Sequence, residues 1–322
     1  MERHLPRHLV VGDALAQPGA HRVRVERRAV TVQGTLAQET TLAAGVNAGE
    51  KVVVEGPVEL AEGARVTLVT CTLGEEGEIL VPGLAHLASD QQDALGAHRQ
   101  TELADAMRAL GVHDHRILGD PHCFRDSGMM GTPPNKREDN FWNADLLVAA
   151  TYLVEIIREV QPQVMVTYDD FGGYGHPDHI QAHRVAMYAA QLAAVQSFKP
   201  ELGAPWEIAK IYWTAFPRNV MVAGIEALKA AGDESQFATM DPDDLPFACP
   251  DEFVTTEIQA AAYLEQKMAA MRAHATQIDV QGGFFALSNN LGSEAMGTEY
   301  FRGVKGVSAA HARETDLFAD LA

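Results

Sequence analysis

The sequence predicts an α/β fold, with a Rossmann-like, mostly parallel sheet preceded by a short β-rich segment. Three observations carry this. From about residue 64 onward, buried-type strands alternate with helical stretches, the pattern of a parallel or mixed sheet. Before that point, short β-favouring runs are punctuated by Gly34, Gly45, Gly49, Gly56, Pro57 and Gly63, without helical periodicity. Finally, residues 169–179 form a polar, glycine-rich loop that leaves a strand and opens a helix, where open α/β sheets place their ligands. The expected organisation is therefore a β-rich segment over 1–63 and an α/β domain over 64–322.

Each element has its own signal. In the front segment, His21 to Val32 and Lys51 to Val54 read as strands. Arg65 to Cys71 is an apolar strand feeding the loop Thr72 to Glu78. A helix is expected from the capping pair Ser89-Asp90, with Leu95, Leu103, Met107 and Leu110 on one face. Arg116 to Gly119 is a short strand, and a long polar loop runs from Asp120 to Asn140. The strongest helical pattern spans Asn143 to Val160 and stops before Pro162. Val164 to Tyr168 is the next strand, followed by a helix to about Ala194, a strand over Ile208 to Phe216 and another over Phe253 to Ile258. Ala260 to Ala275 reads as a helix with Met268 and Met271 as core filler, and the remainder as loop.

Bulk properties narrow the chemistry. Of 322 residues, 44 are acidic and 25 basic, a formal net charge of −19 that repels phosphate backbones and anionic lipid. The expectation is a small-molecule partner, with no nucleic acid and no membrane, and room for a homo-oligomer. The charged first residues have no apolar stretch behind them, which points to the cytoplasm. Cys71, Cys123 and Cys249 are far apart and odd in number, so they read as free thiols.

The densest chemistry is Tyr174, His176, Asp178 and His179, with Pro177 fixing the backbone between the two histidines. Imidazole and carboxylate suit zinc or a similar divalent ion. The competing reading is a helix N-terminus with Asp178 as cap or first-turn acid. His183, one turn further on, reads as a further ligand or, preferably, an exposed helix residue. Asp120 and His122 are conceivable substitute ligands but read better as surface polar residues, as do His113 and His115. Glu75, Glu76 and Glu78 leave the carboxyl end of a strand, and read as a source of a pocket carboxylate or as a plain solvated loop.

Gly172-Gly173-Tyr174-Gly175-His176-Pro177-Asp178-His179 resembles the second signature of the LmbE-like, or GlcNAc-phosphatidylinositol de-N-acetylase-like, zinc hydrolases. Thr70 to Glu78, Arg125 to Met129, Ala273 to Gln277, Ala286 to Asn290 and Glu314 to Leu317 resemble the mycothiol-pathway deacetylases of that family. The resemblance covers residues 64 to 322. It implies zinc-dependent removal of acetate from N-acetyl-glucosaminyl-inositol. It further implies that His179 is a metal ligand, His176 stabilises the oxyanion, Asp178 orients a histidine and Tyr174 polarises the carbonyl. Arg99 and Asp126 would hold sugar and inositol hydroxyls, Glu78 would take a pocket role, and His274 would have a packing or supporting role. The family's opening Ala-His-Pro-Asp-Asp-Glu strand, which carries two further ligands and the general base, is absent from this sequence. Its absence leaves a sheet edge open, with oligomers or low stability expected. Other readings of the same residues are a sugar-binding homologue without turnover and a mycothiol S-conjugate amidase. Residues 30 to 57 are similar instead to the C-terminal β-domain of efflux-pump periplasmic adaptors, which would make the front segment foreign to the rest.

Overall fold

The computed structural model describes residues 65–230, 232, 239–241, 244–278, 297–308 and 312–321, together with the backbone of five strands before residue 54. The chain divides into Met1–Arg65 and Val66–Ala322.

In the first unit, β1 (His8–Asp13) pairs antiparallel with β2 (Arg24–Ala29) and β5 (Lys51–Val53). A hairpin joins β3 (Thr31–Leu36) to β4 (Glu39–Ala44). β2, the start of β3 and β5 fall on the runs His21 to Val32 and Lys51 to Val54 that read as strands in the sequence, while β1 and β4 fall outside them.

The second unit begins with β6 (Thr67–Thr70), which pairs in parallel with β7 (Asp114–Ile117) through the crossover helix α1 (Leu95–Leu110). Helix α2 (Leu146–Val160) leads to β8 (Val164–Thr167), and α3 (Pro177–Ala193) to β9 (Lys210–Thr214), which lies parallel to β8. After α4 (Arg218–Ala230) come β10 (Thr256–Gln259), α5 (Leu264–Ala273) and β11 (Thr298–Lys305). The strand order in the larger sheet is β10-β11-β9-β8.

The α/β class expected from the sequence is present, with β6–β7 and β8–β9 as its parallel pairs. The β11 pairings to β9 and β10 are antiparallel, so the larger sheet is mixed. β11 was read as loop, because its residues Thr298 to Lys305 combine two glutamate-and-lysine ends with a central glycine. It becomes a strand because it is sandwiched between two partners that satisfy its backbone. Helix α4 carried no clear sequence signal.

Helix α1 starts at Leu95 rather than at Ser89-Asp90, and Ala94 offers no side-chain cap. Ser89 is diverted, its hydroxyl donating to Glu76. By contrast, α2 is capped as such helices usually are, with Asp145 accepting from the N–H groups of Leu147 and Val148. Its strongly apolar face buries Ala150, Val154 and Ile157 against Ala189, Ala190 and Ala193 of α3 and against Ile208 and Ile211. Small alanines on α3 let the two helices approach closely.

β6–β7 and β8–β9 are separate hydrogen-bonded sheets. β6 and β8 are apolar enough for central strands, yet Val166 is 44% exposed and β6 is only half-buried. Among the described residues, neither strand has a second neighbour. No described helix is long and apolar enough to cross a membrane.

Candidate active site

The carboxyl ends of β6 and β8 feed the loops that build the site. After β8, Gly172 and Gly173 adopt φ of +68° and +76°, the left-handed region, and form a single tight turn. Asp169 pins that turn through its backbone oxygen to Gly172 N–H at 3.0 Å and its carboxylate to Gly173 N–H at 2.7 Å. At Gly172 a Cβ would lie 2.6 Å from Ile180 N and 2.8 Å from His179 Cβ, so only glycine permits this approach.

The two histidines of the turn are held in opposite ways. His176 is the N-cap of α3, and its Nδ1 accepts from Asp178 N–H at 3.1 Å. Nδ1 is therefore unprotonated, and the neutral ring carries its proton on Nε2. His179 Nδ1 lies 3.1 Å from Gly172 O, a carbonyl that only accepts, so Nδ1 bears the proton and Nε2 keeps a lone pair. Burial lowers both pKa values, that of His179 to about 4 with help from neighbouring His176. The rings lie 5.0 Å apart, His179 stacks on Tyr168 at 4.2 Å, and Tyr174 meets its edge at 5.0 Å.

Asp178 does not cap the helix with its side chain. Both of its oxygens are taken by Ser127: Oδ2 accepts the Ser127 N–H at 3.0 Å and Oδ1 its hydroxyl. The Ser127 hydroxyl oxygen in turn accepts from Trp142 N–H at 2.9 Å. Burial, together with the hydrogen-bonded carboxyl of Asp126, raises Asp178 to about 8 despite the two Ser127 donors. Asp126 is itself fixed, accepting from Gly128 N–H at 2.9 Å and Glu76 N–H at 3.1 Å, while its own N–H donates to Glu75. Asp126, His176 and Asp178 thus gather within 4.8 Å. Beneath them Cys71, at the end of β6, is pushed up to about 12 by burial and by the Asp178 charge.

The other expected residues separate. Tyr174 is half exposed at the mouth, its hydroxyl raised by desolvation. Arg99 is buried and committed to the protein, donating to Gly74 O, to Glu78 O at 2.8 Å and to Thr276 Oγ1 at 3.2 Å. Glu102 completes that tie by accepting from Thr276 N–H and hydroxyl, with His274 alongside. Glu78 is exposed, and it is Glu75 and Glu76 that reach the site: Glu75 is buried against Asp126, and Glu76 pairs with Arg125 at 2.7 Å. Asp120 and His122 sit in an exposed turn of their own. His183 bonds Tyr168 O at 2.9 Å through Nδ1 and packs on Trp213. His115 has a buried Nε2 with no partner among the described residues, so it is not solvent-facing. Ala286 to Asn290 lie outside the described residues. Ser127 and Gly172 were missed as functional. Both stood inside quoted motifs, but their roles depend on partners that the sequence does not reveal.

The model of the family described as "PIG-L: GlcNAc-PI de-N-acetylase" matches residues 58–190. A 1D-myo-inositol 2-acetamido-2-deoxy-alpha-D-glucopyranoside deacetylase from Geodermatophilus obscurus is 60% identical over 264 residues, covering 81% of this chain and 90% of that protein. The chain belongs to the GlcNAc-PI de-N-acetylase family. A 1D-myo-inositol 2-acetamido-2-deoxy-alpha-D-glucopyranoside deacetylase 1 from Catenulispora acidiphila is 59% identical over 264 residues, 81% of this chain and 82% of its own length. The N,N'-diacetylchitobiose deacetylase of Pyrococcus horikoshii aligns with a TM-score of 0.49 and 18% identity, over 76% of this chain and 74% of that one.

The family resemblance implies zinc, and the donors can be tested against it. A catalytic zinc takes three protein ligands in tetrahedral geometry. In this family member, His176 Nδ1 is occupied and its Nε2 protonated, and both carboxylates are engaged by N–H and O–H donors. Among the described residues, His179 Nε2 is the one imidazole lone pair of the cluster left to a metal. The cluster has metal-ligating residue types in the right place, but not a complete zinc donor set.

Proposed function

We infer that this chain is an amide hydrolase for N-acetyl-glucosaminyl-inositol, removing its acetyl group in the mycothiol pathway. The observation that carries this reading is the opposed pair of histidines: His176 presents Nε2–H as a donor, and His179 presents Nε2 as an acceptor, side by side at a helix N-terminus. The substrate is the one for which the relatives are named.

His176 Nε2–H is placed to donate to the amide oxygen as it becomes an oxyanion, a contact that strengthens as charge develops. Asp178, clamped by Ser127, holds the first turn that orients His176. Tyr174 closes over the carbonyl from the mouth. Asp126 receives sugar hydroxyls, with Arg99 anchoring the loop that carries Glu75 and Glu76. His179 Nε2 is the acceptor that the family resemblance assigns to a metal, and the described residues do not complete a zinc site around it. The chain acts in the cytoplasm.

The test is metal stoichiometry of the purified chain together with acetate release from the disaccharide. Acetate release abolished by His179→Ala is the expected result, and the metal content measured beside it shows whether a ligand beyond the described residues completes a zinc site. No acetate at any zinc concentration would overturn the hydrolytic reading and leave a sugar-binding fold.

A further inference from the structure

The His179 ring is held by contacts of different kinds, and one of them comes from outside its own loop. Nδ1 bonds Gly172 O at 3.1 Å, which fixes the ring at a single atom. That bond leaves the ring free to tilt about the line joining the two atoms. The edge contact with Tyr174 does not stop the tilt, because Tyr174 stands at the mouth with 52% of its surface exposed. The face of Tyr168 does stop it: the Tyr168 ring lies 4.2 Å from that of His179, with 9° between the planes.

Tyr168 is a fixed wall because it is itself tied on two sides. It follows directly on β8, whose last residue Thr167 pairs with Trp213 of β9. Its backbone oxygen lies 2.9 Å from His183 Nδ1, one turn further along α3. His183 in turn meets the Trp213 ring edge-on at 4.8 Å, and Trp213 Nε1 donates to Met187 Sδ at 3.5 Å. His179, His183 and Met187 recur every four residues, so they share one face of α3. Three successive turns of the helix thus rest on the aromatic ends of β8 and β9. The helix and the wall keep a set distance, and the imidazole between them has one plane.

The Tyr168 hydroxyl takes no part in this. Burial pushes it up to about 12, so it stays neutral, and it has no hydrogen-bond partner among the described residues. The ring face is what Tyr168 contributes. An aliphatic side chain in its place would fill space without imposing a plane.

We propose that Tyr168 is a positioning residue: its ring sets the plane of His179 and so aims the Nε2 lone pair at the reaction centre beside His176. Its effect on turnover rests on the hydrolytic reading above, whereas its effect on the His179 ring does not. Orientation matters at this scale, because a displacement of about 1 Å can cost ~100-fold in rate.

Two variants of the full chain test it. Tyr168→Phe keeps the ring and should match the parent in kcat for acetate release from N-acetyl-glucosaminyl-inositol. Tyr168→Leu should lose about 10- to 100-fold in kcat with KM unchanged, a split that weakened sugar binding would not give. A second readout needs no turnover. Long-range proton–nitrogen correlation spectra, with the His179 signals assigned by their loss in His179→Ala, report which ring nitrogen carries the proton. The parent and Tyr168→Phe should show Nδ1 protonated and Nε2 bare, and Tyr168→Leu an average of the two neutral tautomers. Loss of turnover or of the Nδ1–H signal in Tyr168→Phe would overturn the proposal, whether or not Tyr168→Leu folds. Parental kcat or parental ring signals in Tyr168→Leu would overturn it as well. If the parent releases no acetate, the hydrolytic reading fails and the ring signals still decide the role of Tyr168.

Discussion

Ser127 grips Asp178 with both of its donors, one to each carboxylate oxygen, across 51 residues of sequence. Ser127 is fully buried and Asp178 nearly so. The contact ties the loop after β7 to the first turn of α3, and so sets where His176 and His179 stand.

Replacing Ser127 with alanine removes one donor to the carboxylate and strands the Trp142 N–H. The expected loss is about 1–3 kcal/mol of stability, the cost of unsatisfied buried polar groups. Urea denaturation measures it. Threonine, which keeps the hydroxyl, should recover part of the loss. A neutral Ser127→Ala would show that the grip contributes nothing.

Asp178 and His179 set opposing pH dependences. Asp178 rises from 3.8 to about 8 on folding, so the native state holds a proton that the unfolded chain has released, and stability falls with pH across that window. His179 falls from 6.5 to about 4, so the unfolded chain binds the extra proton, and stability rises with pH between those values. The two slopes offset each other from pH 4 to 6.5. From 6.5 to 8 only Asp178 acts, and about 2 kcal/mol should be lost. Melting temperatures over that range would detect it, and Asp178→Asn should flatten the curve.

Gly172→Ala should be among the most damaging of small substitutions. It combines a φ of +68° with a Cβ that meets backbone at 2.6 Å. A loss of about 1–3 kcal/mol follows from the backbone strain alone, with further cost from the clash. His179 must move to relieve the clash, so acetate release should fall more than sugar binding does. Measuring turnover and sugar affinity side by side would show whether the damage is local.

Far from the site, Lys210 and Glu314 form an ion pair at 2.7 Å with both side chains 1% exposed. The Tyr212 and Thr256 hydroxyls and the Ser308 N–H also donate to Glu314. Lys210→Met would leave a buried carboxylate without its cation, at a cost of about 3–5 kcal/mol. Adding Glu314→Gln should restore part of that, as the amide oxygen still accepts. The denaturation midpoints of the single and double variants decide it.

Most of the strand and helix order from β6 to β9, the buried runs at Thr67–Thr70 and Val164–Thr167, and the grouping of Tyr174, His176, Asp178 and His179 were readable along the chain, because each depends on local periodicity or on neighbours a few residues apart. The sequence also determined that no second His-Pro-Asp exists to complete a metal site. What the tertiary structure decided lies across long separations. Thr298–Lys305 is a strand only because β9 and β10 flank it. Arg99 serves the backbone because Gly74, Glu78 and Thr276 converge on it. The two histidines differ in tautomer because one faces an N–H and the other a carbonyl, a distinction set by a glycine turn that no composition or spacing encodes.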